Sequence, residues 1–276
     1  AAVVPASAQT VTEGATVAAI RQKSELACGV STGASPGMST LDDRGNWAGF
    51  EVDFCRAVAA TLLGDPARVK FVPLEFRNAF AALQAGSVDM LARSATWTYL
   101  RDSEMRFDMP AIYIYDGQGF LVRKSLNLAN ARGLDGATIC VSSGTTTELN
   151  LADWFRTNRL RYTPVVSAAR EQNIANLEAG RCDAYTNERG GLAANRAALP
   201  RPDDYVVLAD VISKEPLGPY VRQDDPRFRD IVGWTLHVLV AAEEFGLTQA
   251  NVAEAARSHP SPEVARLLGR TGEFGA

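Results

Sequence analysis

The chain has 276 residues, a formal net charge of −4, 46% hydrophobic and 22% charged residues, four Cys and two His. That length allows one large domain or two modest ones, each able to bury a core, and the composition is that of an ordered soluble protein. The acidic balance argues against a nucleic-acid binder, which needs a basic face to displace counterions; His237 and His259 are too few for a His-rich metal site, and no apolar run approaches the ~18 residues of a membrane span.

Residues 1–10 read AAVVPASAQT, and the small-x-small triplet Ala6-Ser7-Ala8 before Gln9 has the form of a signal-peptide end, so residues 1–8 read as a signal-peptide remnant. A short buried strand is expected over 26–31 (LACGVS), and turns over 40–49, where Asp42, Asp43, Gly45 and Asn46 cluster. Phe50, Phe54, Val58 and Leu62 recur at i, i+4 and predict a helix over 50–63 that Gly64 stops. A strand over 69–74, a helix over 77–85 closed by Gly86, and a strand over 88–92 complete a βαβαβ rhythm. Such a rhythm implies a mainly parallel sheet flanked by helices.

The rhythm then repeats: strand 137–141, helix 147–157, strand 162–166, helix 171–179 capped by Gly180, and strand 181–186. Within it L-x-A-G-x-x-D occurs twice, from Leu83 to Asp89 and from Leu177 to Asp183. A Gly C-cap before a strand is a common local device, but the repeat carries its flanking elements too, which points to two related α/β lobes. Segments 111–124 and 206–222, the latter restricted by Pro216 and Pro219, are extended enough to join them. Two crossings mean that the second lobe is inserted into the first. Helices are expected over 227–245 and 248–258, and a last one begins at Ser261-Pro262-Glu263.

No Cys pair among Cys28, Cys55, Cys140 and Cys182 is spaced as CxxC, which excludes zinc ribbons and thioredoxin-type motifs. An even count suits disulfides in an exported chain, with three possible connectivities; four buried free thiols are the cytosolic alternative. Gly29-Val30-Ser31-Thr32-Gly33 has the form of a nucleophile elbow, but Ala34-Ser35-Pro36-Gly37 follows where a helix is required. Gly117-Gln118-Gly119 lacks the third Gly of a dinucleotide loop and reads as a hinge turn.

A cleft between two such lobes, beyond the carboxyl ends of the strands, is the natural small-molecule site. Three segments fall there. In Arg93–Arg101, the hydroxyls of Ser94 and Thr96 and the guanidinium of Arg101 suit a carboxylate, which Arg pairs bidentately. Thr145-x-x-Glu148 is a capping box, so a helix starts there and its free N–H groups make an anion site. Asn187-Glu188 ends a strand and places a carboxylate where an ammonium would sit.

With these segments in view, the chain resembles the periplasmic solute-binding proteins of ABC importers for amino acids, nearest the general or polar L-amino-acid branch (solute-binding protein family 3). The resemblance rests on CGVSTG, GFEVDFCRAVAA, DMLARSATWT with Arg101, YDGQGFLVRK, DGATICVSSGTTTELNLADWF, EAGRCDAYT and ISKEPLGP, from about Cys28 to about Gly269. It implies a two-lobed type II binding-protein fold with two hinge crossings: lobe 1 over 9–117 and 212–276, lobe 2 over 118–211. It implies that Arg101 clamps the ligand α-carboxylate with Ser94, Thr96, Thr145 and Thr146, that Glu188 meets the α-ammonium, and that Met38 walls the ligand side chain. It also implies a monomer in the periplasm that delivers an amino acid to a membrane permease, with no metal or other cofactor.

Glu188 departs from that pattern, since the family usually has Asp there. The longer carboxylate keeps open an enzyme like cyclohexadienyl or arogenate dehydratase on the same fold, with Glu188 as general acid. A ligand-binding sensor domain is the third class. The lobes suggest one bridge in each, Cys28–Cys55 and Cys140–Cys182. Similar proteins commonly continue past the position of Ala276 with a segment against the first lobe.

Overall fold

A computed structural model describes residues 14–271; the signal-peptide reading of residues 1–8 lies outside them. The first described element is α1 (Ala15–Lys23), which the sequence pattern does not announce because only Thr16, Val17 and Ile20 on it are buried. Its N-cap is Gly14, which has no side chain to offer, and the cap comes from far along the chain. The Asp225 carboxylate accepts Thr16 N at 2.9 Å and Val17 N at 3.0 Å.

Strand β1 (Leu26–Val30) leads into a small antiparallel sheet of β2 (Ala34–Ser35), β3 (Ser39–Leu41) and β4 (Trp47–Ala48), so the turn-rich segment is a strand pair around a turn tied by Asp42. Helix α2 (Phe50–Leu63) buries Glu51, Val52, Phe54, Cys55, Val58, Ala59 and Leu62, while Phe50 is 43% exposed. A strict i, i+4 row drifts about 40° per step, so the stripe expected to begin at Phe50 rotates out of the core there and Glu51 turns in.

Strand β5 (Val69–Pro73), α3 (Phe76–Gln84) and β6 (Met90–Thr96) follow. Strand β6 runs four residues beyond the apolar pattern because a later strand pairs with Ala95 and Thr96. A single π turn over Leu100–Glu104 carries Arg101, then come β7 (Phe107–Asp108) and β8 (Ile114–Asp116).

The chain then enters the second lobe with β9 (Gln118–Arg123), β10 (Thr138–Ser142), α4 (Thr146–Asn158), β11 (Thr163–Ser167), α5 (Arg170–Glu178), β12 (Ala184–Glu188), α6 (Arg189–Ala198) and β13 (Tyr205–Val207). It returns through β14 (Glu215–Arg222) to α7 (Pro226–Glu244), α8 (Val252–Ser258) and α9 (Pro262–Leu267).

Among the described residues the larger sheet runs β5-β1-β6-β14-β7 with β8 also on β14, and the second runs β11-β10-β12-β9-β13. The β5-β1-β6 and β11-β10-β12 cores are parallel, and in each an antiparallel strand closes the flank. Each parallel core therefore has the same order, which is the structural content of the sequence repeat. Gly86 and Gly180 both take φ +70° after their helices. Asp89 accepts Ala27 N at 2.8 Å in one lobe and Asp183 accepts Thr138 N at 2.7 Å in the other. Both carboxylates thus pin the incoming edge of a central strand.

Disulfides join Cys28 to Cys55 and Cys140 to Cys182, each strand-central Cys to a partner behind its sheet or beside it. Apolar side chains cover both faces of both sheets, with α2 and α7 on one side of the first and α3 on the other. The crossings run side by side at Gly117, between β8 and β9. A Cβ there would lie 2.4 Å from Val211 Cγ1 and 2.8 Å from Ser213 O. Ile212 N donates to Gln118 O at 2.9 Å, which ties the outgoing and returning chains together.

Candidate functional site

The carboxyl ends of β1, β6, β10 and β12 face one another across the gap between the lobes. The gap holds a cavity of about 40 Å³ walled by Arg93, Ser94 and Thr96 from the first lobe and Thr146, Arg170 and Glu188 from the second. A neighbouring cavity of about 270 Å³ shares Ser94, Arg170 and Glu188 with it.

The lobes touch directly around this gap. Thr32 Oγ1 donates to Glu171 Oε1 at 2.8 Å, and Arg170 Nη1 donates to Ser35 Oγ at 2.8 Å. Thr96 Oγ1 and Thr146 Oγ1 are 3.3 Å apart. This is a closed arrangement, with polar groups of one lobe answering those of the other.

Ser94 has φ +51°, a left-handed conformation that costs a non-Gly residue about 1 kcal/mol. Glu51 holds it there: Oε1 accepts the Ser94 N–H, the Ser94 hydroxyl at 3.1 Å and the Tyr113 hydroxyl at 2.6 Å. Burial pushes the Glu51 carboxyl up, and these donors pull it back. Glu51 Oε2 is buried without a partner.

The capping box forms in modified shape. Thr145 Oγ1 accepts Glu148 N at 3.1 Å, while Glu148 Oε2 reaches past the cap to Gly144 N at 2.8 Å. Helix α4 therefore begins at Thr146, at the cavity wall, with first-turn N–H groups that an α-helix leaves without intrahelical acceptors.

Glu188 ends β12, is 8% exposed and lines both cavities. Burial pushes its carboxyl up to about 7, opposed by Arg170 and reinforced by Glu215 and Asp116. Met38 lies in the wall of the 270 Å³ cavity, with Ile114 and Leu217, and not in that of the smaller one.

Arg101 is buried but is not among the residues lining either cavity. Its guanidinium stacks 5.0 Å from the Phe76 ring centre and 4.7 Å from that of Phe80, and Nη1 donates to Thr96 O at 2.6 Å. Four of its five N–H donors are not used in that bond.

Three residues that sequence reasoning passed over are central here: Arg93, Glu51 and Glu215. Arg93 sits inside the very segment singled out, on the α3 side of β6, with its guanidinium 4.8 Å from the Phe76 ring centre. Glu51 reads as an ordinary first-turn acid of a helix. The Glu215 carboxylate accepts Thr96 Oγ1 and Ser213 Oγ, and also Asn150 Nδ2 at 2.8 Å. The only sequence signal for it was its place in ISKEPLGP.

A model of the bacterial extracellular solute-binding proteins, family 3, matches residues 26–250, which is most of the chain. The chain is a family 3 solute-binding protein. This solute-binding protein is 51% identical over 254 residues to the general L-amino acid-binding periplasmic protein AapJ of Rhizobium johnstonii, covering 92% of this chain and 74% of the relative. It is 50% identical over 256 residues to the glutamate/glutamine/aspartate/asparagine-binding protein BztA of Rhodobacter capsulatus, covering 93% and 75%. Among solved structures, a periplasmic binding protein of an ABC transporter from Brucella ovis with glutathione bound superposes with a TM-score of 0.89. The two are 48% identical, and the match covers 94% of this chain and 80% of that one. The solute-binding protein thus has the two-lobed type II fold, and no described helix is long and apolar enough to cross a membrane.

Proposed function

We propose that this protein captures a polar L-amino acid between its lobes in the periplasm and delivers it, as a monomer, to an ABC-transporter permease. The observation that carries this is the paired site: the hydroxyls of Ser94 and Thr96 and the guanidinium of Arg93 at the end of β6 face the N-terminus of α4 and the Glu188 carboxylate across one gap. In this reading Arg101, Ser94, Thr96 and the Thr145–Thr146 helix start hold the α-carboxylate, and Glu188 holds the α-ammonium. Met38 bounds the space for the side chain. The lobes pivot at 117/118 and 211/212, a division supported by the close approach of Gly117 to Val211 and Ser213. Ligand entering the open form meets half its partners, and closure supplies the rest, so binding shifts the population toward closed.

Two relatives at about half identity carry names as amino-acid binders, and the name of the first, AapJ, is periplasmic. A short γ-glutamyl peptide belongs to the same ligand class: the Brucella ovis neighbour holds glutathione, and here a 270 Å³ cavity adjoins the smaller one. The raised carboxyl of Glu188 is the one observation favouring a dehydratase, and turnover of prephenate or arogenate lost in Glu188→Gln would support it.

Isothermal titration calorimetry with the common L-amino acids tests the main reading. At least one polar amino acid binds the wild type, and Arg101→Ala weakens every such ligand at least about 100-fold, because a buried carboxylate loses its charged partner. Unchanged affinity in Arg101→Ala removes Arg101 from the site.

A further inference from the structure

Arg93 stands apart from every other charged group in the cleft. It is 8% exposed, it lines the smaller cavity, and its Nε and Nη1 are buried without a hydrogen-bond partner. A buried guanidinium with unused donors is costly unless something answers it. The Phe76 ring supports one face of it at 4.8 Å, which fixes the plane of the fork without satisfying its N–H groups. Glu51 pulls on it electrostatically but makes no ion pair with it among the described residues, and its own Oε2 is equally unpartnered.

From the other lobe, Arg170 reaches the same cavity and spends Nη1 on Ser35. Closure therefore brings two guanidinium groups to one small cavity. Their mutual repulsion adds to burial in pulling the Arg93 value down to about 10. An anion in that space relieves Arg93, while Arg170 already has Glu188, Glu51 and Glu171 favouring its charge.

We propose that Arg93 and Arg170 form a second carboxylate receptor in the cleft, so that the preferred ligand is an α-amino acid carrying a second carboxylate. Arg101 and the α4 N-terminus take the first carboxylate and Arg93 with Arg170 the second, so this assignment rests on the amino-acid reading above. The second carboxylate is that of an acidic side chain or the terminal carboxylate of a short γ-glutamyl peptide. Arg93 is then the residue that separates acids from amides, since an unpartnered guanidinium attracts a carboxylate and repels an amide NH2.

Calorimetry at pH 7.5 with L-glutamate, L-glutamine, glutathione and glutathione monoethyl ester tests this. The wild type binds glutamate at least about tenfold tighter than glutamine, or glutathione at least about tenfold tighter than its ester, and the arm that shows the preference identifies the source of the carboxylate. In Arg93→Gln that preference collapses, with the acid losing at least about tenfold more affinity than its uncharged counterpart. Arg170→Gln, on a half-buried wall, gives the same sign and keeps the test alive if Arg93→Gln does not fold. Equal affinity of the wild type for acid and uncharged counterpart in both arms overturns the proposal. So does an equal loss of both ligands in Arg93→Gln, which moves Arg93 to the α-carboxylate and leaves the amino-acid reading standing. A folded wild type that binds no amino acid or peptide overturns that reading and this one together.

Discussion

The Glu215 carboxylate accepts the Thr96 hydroxyl within the first lobe and, through its other oxygen, the Asn150 side-chain amide of α4 at 2.8 Å in the second. Thr146 Oγ1 lies 3.4 Å from the same carboxylate. One buried side chain at the start of the return crossing therefore belongs to both sides of the gap.

Glu215→Gln keeps the shape and removes the charge. Hydrogen bonds to a charged group contribute about 1.5–3 kcal/mol each, against about 1 for neutral ones. The variant folds, and its ligand affinity in calorimetry falls about tenfold or more, because the closed form loses stability relative to the open one. Unaltered affinity takes Glu215 out of closure.

Glu188 makes the protein pH-sensitive. Its unfolded value is that of a free glutamate, ~4.3, and its folded value is about 7. The folded state holds the proton more tightly, so the contribution of Glu188 to stability is full below pH ~4.3 and is lost as pH rises through about 7. The melting temperature of ligand-free wild type therefore falls between pH 5 and 8 more steeply than that of Glu188→Gln. A ligand ammonium favours the ionised carboxylate, so binding at pH 6 releases most of one proton, and binding at pH 8 or above releases little. Calorimetry in buffers of different ionisation enthalpy reads this directly, and the release disappears in Glu188→Gln.

The alternation of strands and helices and the capping box at Thr145 were legible because each is written in local periodicity or turn chemistry. Strand ends were less so. The sequence stops reading as strand at Ala92, where Arg93, Ser94 and Thr96 begin, yet pairing with β14 extends β6 through them. The same polar residues that hide the strand build the site. Helix α1 escaped notice because its cap, Asp225, is more than 200 residues away. Arg93 and Glu51 were invisible for a similar reason: a charge is read as solvated until a second segment buries it.

The two disulfides close loops of 27 and 42 residues. Loop-closure entropy makes each worth about 3–4 kcal/mol relative to the reduced unfolded chain. Replacing Cys140 and Cys182 together by Ser lowers the denaturation free energy by about that amount. Ligand affinity stays intact, since the bridge lies in the core behind the second lobe's site and not in either cavity.

Asp225 caps α7 by accepting Phe228 N at 2.9 Å while it holds the first turn of α1. Asp225→Ala removes an N-cap worth about 1 kcal/mol and strands two further buried N–H groups at about 1–3 kcal/mol each. The expected loss in urea denaturation is about 3 kcal/mol or more. Little change, within about 1 kcal/mol, means that α1 is not docked through this carboxylate.

Closure on an amino acid is open to measurement by small-angle X-ray scattering of the wild type, with and without the tightest ligand found by calorimetry. The radius of gyration falls on saturation, and the ligand-bound curve matches that calculated from the closed arrangement in which Arg170 meets Ser35 and Thr32 meets Glu171. Saturable binding with no compaction would contradict it.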